Sequence, residues 1–208
     1  MVRVAVLFDY DKAQRLLNKY KIRSIESGYV SSAESAIEFA KGKPIVLKVL
    51  TNKALHKTKS GLIALNLYTD SEINAAFRAL SRKAANFKPY KILAQRMVRS
   101  GIEVIVGGNT DPQFGKMILL GLGGIYVETF KDFSLRVCPI KRYDAQSMIE
   151  QLRSKEVIAP DQKSLRMLEE LLLKTSRMFS ESRMKELDLN PVILHDGTYD
   201  AVDLRMLE

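Results

Sequence analysis

The chain has 208 residues, 33 Lys+Arg against 24 Asp+Glu, a net charge of +9 and one cysteine, Cys138. That length supports one large domain or two small lobes with a real core, and a lone cysteine between Val137 and Pro139 excludes an internal disulfide framework and reads as a small buried hydrophobe. No segment approaches the roughly 20 consecutive apolar residues of a membrane span; the apolar start of MVRVAVLFDYDK ends in acids with no small-residue cleavage signal, so cytoplasmic residence is expected.

The basic excess admits three partners: nucleic acid, an acidic protein or phosphate-bearing ligands. The basic residues are scattered, as at Lys41 and Lys43, Arg82 and Lys83, or Lys141 and Arg142, with no long tail. Aromatics do not alternate with them as stacking platforms would, so nucleic acid is the weaker alternative.

In chain order, Val2–Phe8 is β-branched and apolar and predicts a strand. Asp11–Tyr20 places Ala13, Leu16, Leu17 and Tyr20 on one helical face. In SSAESAIEFAK, Ser31 and Glu34 stand at capping-box spacing ahead of Ala33, Ala36, Ile37 and Ala40. Ile45–Leu50 predicts a strand, residues 51–61 a basic loop and Leu62–Leu67 another strand. Thr69 and Glu72 form a second capping box before Ile73, Ala76, Phe77 and Leu80. Strands follow at Ile92–Val98, Glu103–Val106, Met117–Leu120, Ile125–Phe130 and Leu135–Ile140. Asp144 caps a helix with Ala145, Met148, Ile149 and Leu152 inward, SKEVIAPDQ reads as a polar connector, and Leu165, Leu168, Leu172 and Phe179 mark a longer helix. Two short strands around an Asp-Gly turn close the chain. Strands in the middle with helices on the flanks give an α+β protein of two lobes, with the border near Pro89.

Three groups of residues can carry chemistry. Lys48 sits inside an apolar strand, where a lysine is costly unless an anion pairs with it. Alternation puts it on one face with Val46 and Leu50. That face either meets water or turns into a cleft that holds a phosphate. His56 lies in the basic loop L-H-K-T-K-S-G; a neutral imidazole nitrogen accepts a phosphoryl group near physiological pH, and Lys53, Lys57 and Lys59 would draw phosphate charge. A lone loop histidine is also commonly just solvated. The glycines of G-L-G-G, residues 121–124, lie under a phosphate or turn a corner, the second being the commoner use. Last, E-L-D-L-N-P-V precedes Asp203 in the closing strands, and a hairpin can set Asn190 beside Asp203. An amide oxygen and a carboxylate, completed by water and phosphate oxygens, suit Mg²⁺. His195, near the hairpin tip, reads as a solvated turn residue.

Taken together, P-I-V-L-K-V, L-H-K-T, L-A-Q-R-M-V-x-x-G-x-E-V-I-V-G, D-P-Q-F-G, G-L-G-G-I-Y-V-E and E-L-D-L-N-P-V resemble the ATP-grasp β subunit of ADP-forming acetyl-CoA synthetases (acetate–CoA ligases), relatives of succinyl-CoA synthetase. The resemblance runs in motif order from about residue 13 to the end. It implies an ATP-grasp fold, two α/β lobes with a nucleotide bound between them, here residues 1–89 and 90–208. It implies a reaction converting acyl-CoA, ADP and phosphate into the acid, CoA and ATP. It also implies a CoA-binding α subunit that carries a phosphohistidine, with a heterotetramer as the assembly. By the same resemblance His56 relays the phosphoryl group and Asp111 positions the phosphate or phosphohistidine. Lys48 contacts nucleotide phosphates, Gln95, Arg96, Met97 and Val98 read adenine as a hinge, and Glu103 meets the ribose. Asn190 and Asp203 bind the Mg²⁺ of Mg·ADP or Mg·ATP.

The sequence departs from the family pattern at Lys59, where an acid is usual, at Leu62, where a second glycine is usual, in SKEVIAPDQ, and in G-G-N-T before Asp111, where an arginine is common. The alternatives are a nucleotide-binding module without turnover and an ATP-grasp ligase for another carboxylate.

Overall fold

The computed structural model describes residues 9–51, 61–124 and 132–208. The strands expected over Val2–Phe8 and Ile125–Phe130, and the basic loop with His56, lie outside the described residues. Two compact units form, one from Met1–Ser24 with Arg99–Glu208 and the other from Ile25–Val98. The border expected near Pro89 falls inside the second unit. Residues 88–91 feed the strand Lys91–Arg96, an inner strand of that unit's sheet, so the chain leaves the unit only after that strand is complete.

Helix α1 (Tyr10–Lys19) belongs to the larger unit; Asp9 caps it by accepting the Lys12 N–H at 2.8 Å, and Ala13 and Leu17 are buried. The chain then builds the smaller unit from β1 (Ser27–Val30), α2 (Ala33–Ala40), β2 (Ile45–Leu50), β3 (Ile63–Leu67), α3 (Asp70–Ala84) and β4 (Lys91–Arg96). Its sheet is antiparallel in the order β1-β4-β2-β3. Ile45, Leu47 and Val49 of β2 share a core with Ala36 and Ala40 of α2 and Ile73, Leu80 and Ala84 of α3. The box expected at Ser31 and Glu34 is shifted by one residue. Ser32 caps α2 and accepts the Ser35 N–H at 3.2 Å, while the Ser35 hydroxyl accepts the Ser32 N–H at 3.1 Å, the work an acid usually does. The Thr69–Glu72 box forms as expected, with Glu72 accepting the Thr69 N–H at 2.9 Å.

The larger unit continues with β5 (Ile102–Asp111), β6 (Gly115–Leu122), β7 (Phe133–Val137), α4 (Arg142–Glu150), α5 (Lys155–Ile158), α6 (Gln162–Glu181), β8 (Glu186–His195), β9 (Thr198–Ala201) and β10 (Leu204–Leu207). The sheet runs β10-β8-β5-β6-β7, with β9 also on β8. One face packs Val104, Val106, Ile118 and Leu120 against Met148, Ile149, Leu172 and Phe179 of α4 and α6. Gly108 is required there, since a Cβ would stand 3.0 Å from the Phe179 ring. Asp144 caps α4 from its third position by accepting the Lys141 N–H at 2.8 Å. The polar connector hides the short helix α5, whose Ile158 is buried, and Asp161 then caps α6. No helix among the described residues is long and apolar enough to cross a membrane.

Candidate functional site

Strand β8 has two neighbours on one side. Its first half pairs with β10 and its second half with β9. The changeover falls at Asn190–Pro191, opposite the two linking residues Val202 and Asp203. Asn190 donates its N–H to the Asp203 carbonyl at 3.2 Å, and Val202 donates to the Pro191 carbonyl at 3.0 Å. On the other side the register against β5 slips between Val104 and Val106, so Asn190 and Pro191 together face Ile105. This is a β-bulge, and it suits a proline, which has no N–H to give the ladder. The bulge also resets the side-chain alternation. Leu187 and Leu189 are buried before it and Val192 and Leu194 after it, while Asn190 is exposed. Asn190 thus lies on the face turned away from α6, and Asp203 is its backbone neighbour. Asp203 lies in the step between β9 and β10, not in the hairpin's return strand, and its Oδ1 accepts the Leu204 N–H at 3.1 Å.

The same face carries Asp188, a residue the sequence reading passed over. Asp188 lies opposite Gly107 on one side and Arg205 on the other. A cavity of about 250 Å³ is lined by Gly108, Asn109, Glu186, Leu187, Asp188 and Arg205. Burial pushes the Asp188 carboxyl above the usual carboxylate range; Arg205 opposes the shift, and the charges of Asp203 and Glu186 add to it. A cation beside Asp188 would favour its ionised form. Among the described residues no three His, Cys, Asp or Glu groups form a closed metal cage. An amide oxygen with one or two carboxylates fits Mg²⁺, which keeps water and substrate phosphates in its remaining positions.

In the smaller unit, Lys48 is 7% exposed and stands on the sheet face opposite the helices, with Val46. The reading in which this lysine faces water is overturned. Gln95, 1% exposed, pairs with Val46, and Leu93 pairs with Lys48, so Gln95 and Lys48 are diagonal neighbours on that face. Arg96 turns inward on its own unit. Its Nε meets Glu26 at 3.1 Å, it donates to the Ala40 carbonyl, and it stacks 4.8 Å from the Phe39 ring centre. The Arg96 N–H goes to the Glu26 carbonyl at 3.0 Å and the Met97 N–H to the Pro44 carbonyl at 3.1 Å. Of the expected hinge, Val98 carries the backbone donor not taken up among the described residues.

Glu103 is exposed at the start of β5, and its carbonyl accepts the Gly123 N–H at 2.7 Å. A Cβ on Gly123 would stand 2.8 Å from the Glu103 backbone, and Gly124 has φ +77°. Close approach and a turn therefore explain these two glycines. Asp111 sits at the far end of β5, in the turn to β6, where Oδ1 accepts the N–H groups of Gln113 at 2.8 Å and Phe114 at 2.9 Å; these bonds hold its carboxyl below the usual range. His195 is not a solvated turn residue. Its side chain is 12% exposed, and Nε2 lies 2.8 Å from Asp200, itself gripped by Arg23 at 2.7 Å. The turn residues Asp196 (φ 50°) and Gly197 (φ 68°) take the positive φ values of a two-residue hairpin.

A family model described as an ATP-grasp domain matches residues 5–207. The acetate–CoA ligase (ADP-forming) I β subunit of Pyrococcus furiosus is 34% identical over 207 residues, covering 94% of this chain and 89% of that one. The acetate–CoA ligase (ADP-forming) I of Archaeoglobus fulgidus is 34% identical over 202 residues, which are 92% of this chain and 30% of that longer protein. The acetyl-coenzyme A synthetase 1 of Ca. Korarchaeum cryptofilum, described as dinucleotide forming, has been solved with coenzyme A, Ca-AMPCP and HgCl⁺; it superposes with a TM-score of 0.88 at 30% identity, covering 99% of this chain and 93% of that one. A second structure of it, with coenzyme A and Mg-AMPPCP and a phosphohistidine segment pointing towards the nucleotide binding site, gives 0.83 at 29% identity, covering 97% and 92%. The chain belongs to the ATP-grasp family, among the relatives of the β subunits of ADP-forming acetate–CoA ligases.

Proposed function

We propose that this chain is the nucleotide-binding β subunit of an ADP-forming acyl-CoA synthetase. In that role it moves a phosphoryl group between a partner's phosphohistidine and Mg·ADP, reversibly, with His56 as the intermediate carrier. The observation that carries the reading is the Asn190–Asp203 junction in a chain that covers 89% of a relative's β subunit. The neighbour with Mg-AMPPCP and a phosphohistidine segment pointing towards the nucleotide binding site supports both the ligand and the direction of delivery. The relative that is itself a β subunit, and the much longer relative in which this region is 30% of the chain, support a reaction shared with further protein beyond this region.

The parts take these roles. Lys48 neutralises nucleotide phosphate charge from a desolvated position, where a charge-assisted contact is worth most. Gln95 lies beside it, and the Val98 N–H reads the adenine edge, with Arg96 and Met97 bracing the hinge through bonds within their own unit. Glu103 holds the ribose. Asn190 and Asp203 hold Mg²⁺, which neutralises charge on the phosphates when bound. Asp111 positions the incoming phosphohistidine from a turn that its own Oδ1 anchors. Towards ATP, each transfer breaks one P–N bond of a phosphohistidine and its nitrogen regains the electron pair; from ATP, the terminal P–O bond breaks first and ADP leaves with that pair. The phosphoryl group then joins either the His56 nitrogen or the terminal oxygen of ADP.

The test is labelling. The chain alone, mixed with Mg²⁺ and ATP labelled in its γ-phosphate, should become phosphorylated on His56 in an acid-labile form, and ADP should discharge it. Tight nucleotide binding with no label on any histidine would make the chain a sensing module instead.

A further inference from the structure

Among the described residues the sheet of the larger unit ends on β7. Two of its side chains turn towards α4: the Ser134 hydroxyl donates to the Met148 carbonyl at 2.9 Å, and the Arg136 guanidinium donates to the Ser147 hydroxyl at 2.9 Å. Phe133, Leu135 and Val137 turn to the other face and are 50%, 41% and 49% exposed. Half-buried Leu119 and Met117 of β6 extend this apolar row, opposite Leu135 and Val137.

The same three residues aim their backbone at the open edge. The ladder to β6 runs through Asp132, whose carbonyl accepts the Leu122 N–H at 3.2 Å, and through Cys138, whose N–H goes to the Lys116 carbonyl at 2.7 Å. Alternation then turns the N–H and C=O groups of Phe133, Leu135 and Val137 outward. The Leu135 carbonyl marks that side, because Arg136 reaches around to donate to it at 2.7 Å. Among the described residues no strand pairs with this edge. An unpaired edge that also shows an apolar row is what folded chains ordinarily blunt with a lysine, a proline or a bulge. Within Phe133–Val137 there is none of these, and the register to β6 is unbroken.

We propose that β7 pairs with β7 of a second copy of this chain, antiparallel about a two-fold axis at Leu135, so that the two sheets continue into one another. The strand is complementary to itself in this register. Phe133 faces the second copy's Val137 and Leu135 faces its own equivalent, all on the apolar side. On the α4 side each Arg136 faces Ser134, and beyond them Asp132 faces Cys138, so no two like charges meet. Arg136 releases the Leu135 carbonyl, which then accepts the second copy's Leu135 N–H, while the guanidinium keeps its bond to Ser147. In the free chain the Arg136 contact guards the edge against random pairing. None of this depends on the nucleotide reading.

Sedimentation equilibrium of the full chain tests it. The wild type should approach twice its 23.5 kDa mass, and Leu135→Lys, which sets two ammonium groups across the axis, should return it to the monomer with an unchanged circular dichroism spectrum. Leu135→Cys should cross-link under mild oxidation, because directly opposed hydrogen-bonded residues have Cα atoms about 5.5 Å apart, within disulfide reach. The native chain with Cys138 alone should not cross-link. A monomeric wild type overturns the proposal, as does a dimer that Leu135→Lys leaves intact or that Leu135→Cys fails to lock. A monomer that loses its CoA-binding partner on Leu135→Lys would also overturn it and give the edge to that partner.

Discussion

Asn190 and Asp203 are joined by a backbone hydrogen bond of 3.2 Å at the point where β8 changes partner from β10 to β9. Nothing in a regular ladder requires that break. The bulge at Asn190–Pro191 interrupts β8, the two-residue step at Val202–Asp203 interrupts its partner, and the two interruptions coincide. Bulges re-aim side chains, and this one turns Asn190 to the face away from α6 beside the backbone of Asp203.

Asp203→Asn keeps the shape of the junction and removes a charge from the proposed metal site. The Mg²⁺ concentration needed for ADP binding should rise by about tenfold or more, in line with a loss of ~1.5–3 kcal/mol for a charged contact. Calorimetric ADP titrations at stepped Mg²⁺ measure this. Identical midpoints in variant and wild type would remove Asp203 from the metal.

Lys48→Met should weaken Mg·ADP binding by roughly 10- to 150-fold, the same energy range converted to affinity. Binding should fall far more than thermal stability does, although the position is only 7% exposed. Calorimetry and a melting curve on one sample separate the two effects. Unchanged affinity with a lower melting point would make Lys48 a structural residue.

Much of this site was legible in the sequence, for physical reasons. Lys48 was visible because an ion inside Ile45–Leu50 contradicts its surroundings, and only the question of which environment it faced was left to the structure. Asn190 and Asp203 were visible as hairpin neighbours, although the return strand turned out to be two strands. Asp188 was missed while in plain sight: in D-L-N, alternation places Asp188 and Asn190 on one face, and that signal was available. His195 was misread because its partner Asp200 is reached only across the Asp-Gly turn, where burial depends on how the hairpin packs. The border was misplaced because proline at 89 reads as a linker, whereas strand order in a sheet is not written in local sequence.

The raised pKa of Asp188 sets a pH dependence. Its folded value lies above the unfolded one, so the folded chain holds the proton longer. Without metal, its contribution to stability is greatest below the ordinary aspartate range and declines as pH rises through the folded value. Asp188→Asn should flatten that decline, and Mg·ADP should offset it in the wild type. Urea midpoints from about pH 4 to 7 for both chains check this. A wild-type-minus-variant difference that stays constant with pH would contradict it.

Gly123→Ala should be disproportionately harmful for so small a change. The new methyl would sit 2.8 Å from the Glu103 backbone. The chain must shift there, at a cost of roughly 1–3 kcal/mol, and Glu103 shifts with it. A lower melting temperature together with weaker binding of ADP, but not of inorganic phosphate, is the expected pattern. A neutral result would detach Glu103 from the nucleotide.

The central claim is that this chain handles the nucleotide half of a reaction whose CoA half lies on a partner. The direct measurement is ATP formation from acyl-CoA, ADP, phosphate and Mg²⁺, by the purified chain alone and after addition of a CoA-binding α subunit. The expected result is no ATP from the single chain, ATP on adding the partner, and loss of that activity in His56→Ala with the complex still assembled. High salt should slow the transfer, because Lys53, Lys57 and Lys59 flank His56 in sequence and would attract a phosphorylated segment. Robust ATP synthesis by the single chain would contradict the two-subunit account, and full activity of the His56→Ala complex would contradict the relay.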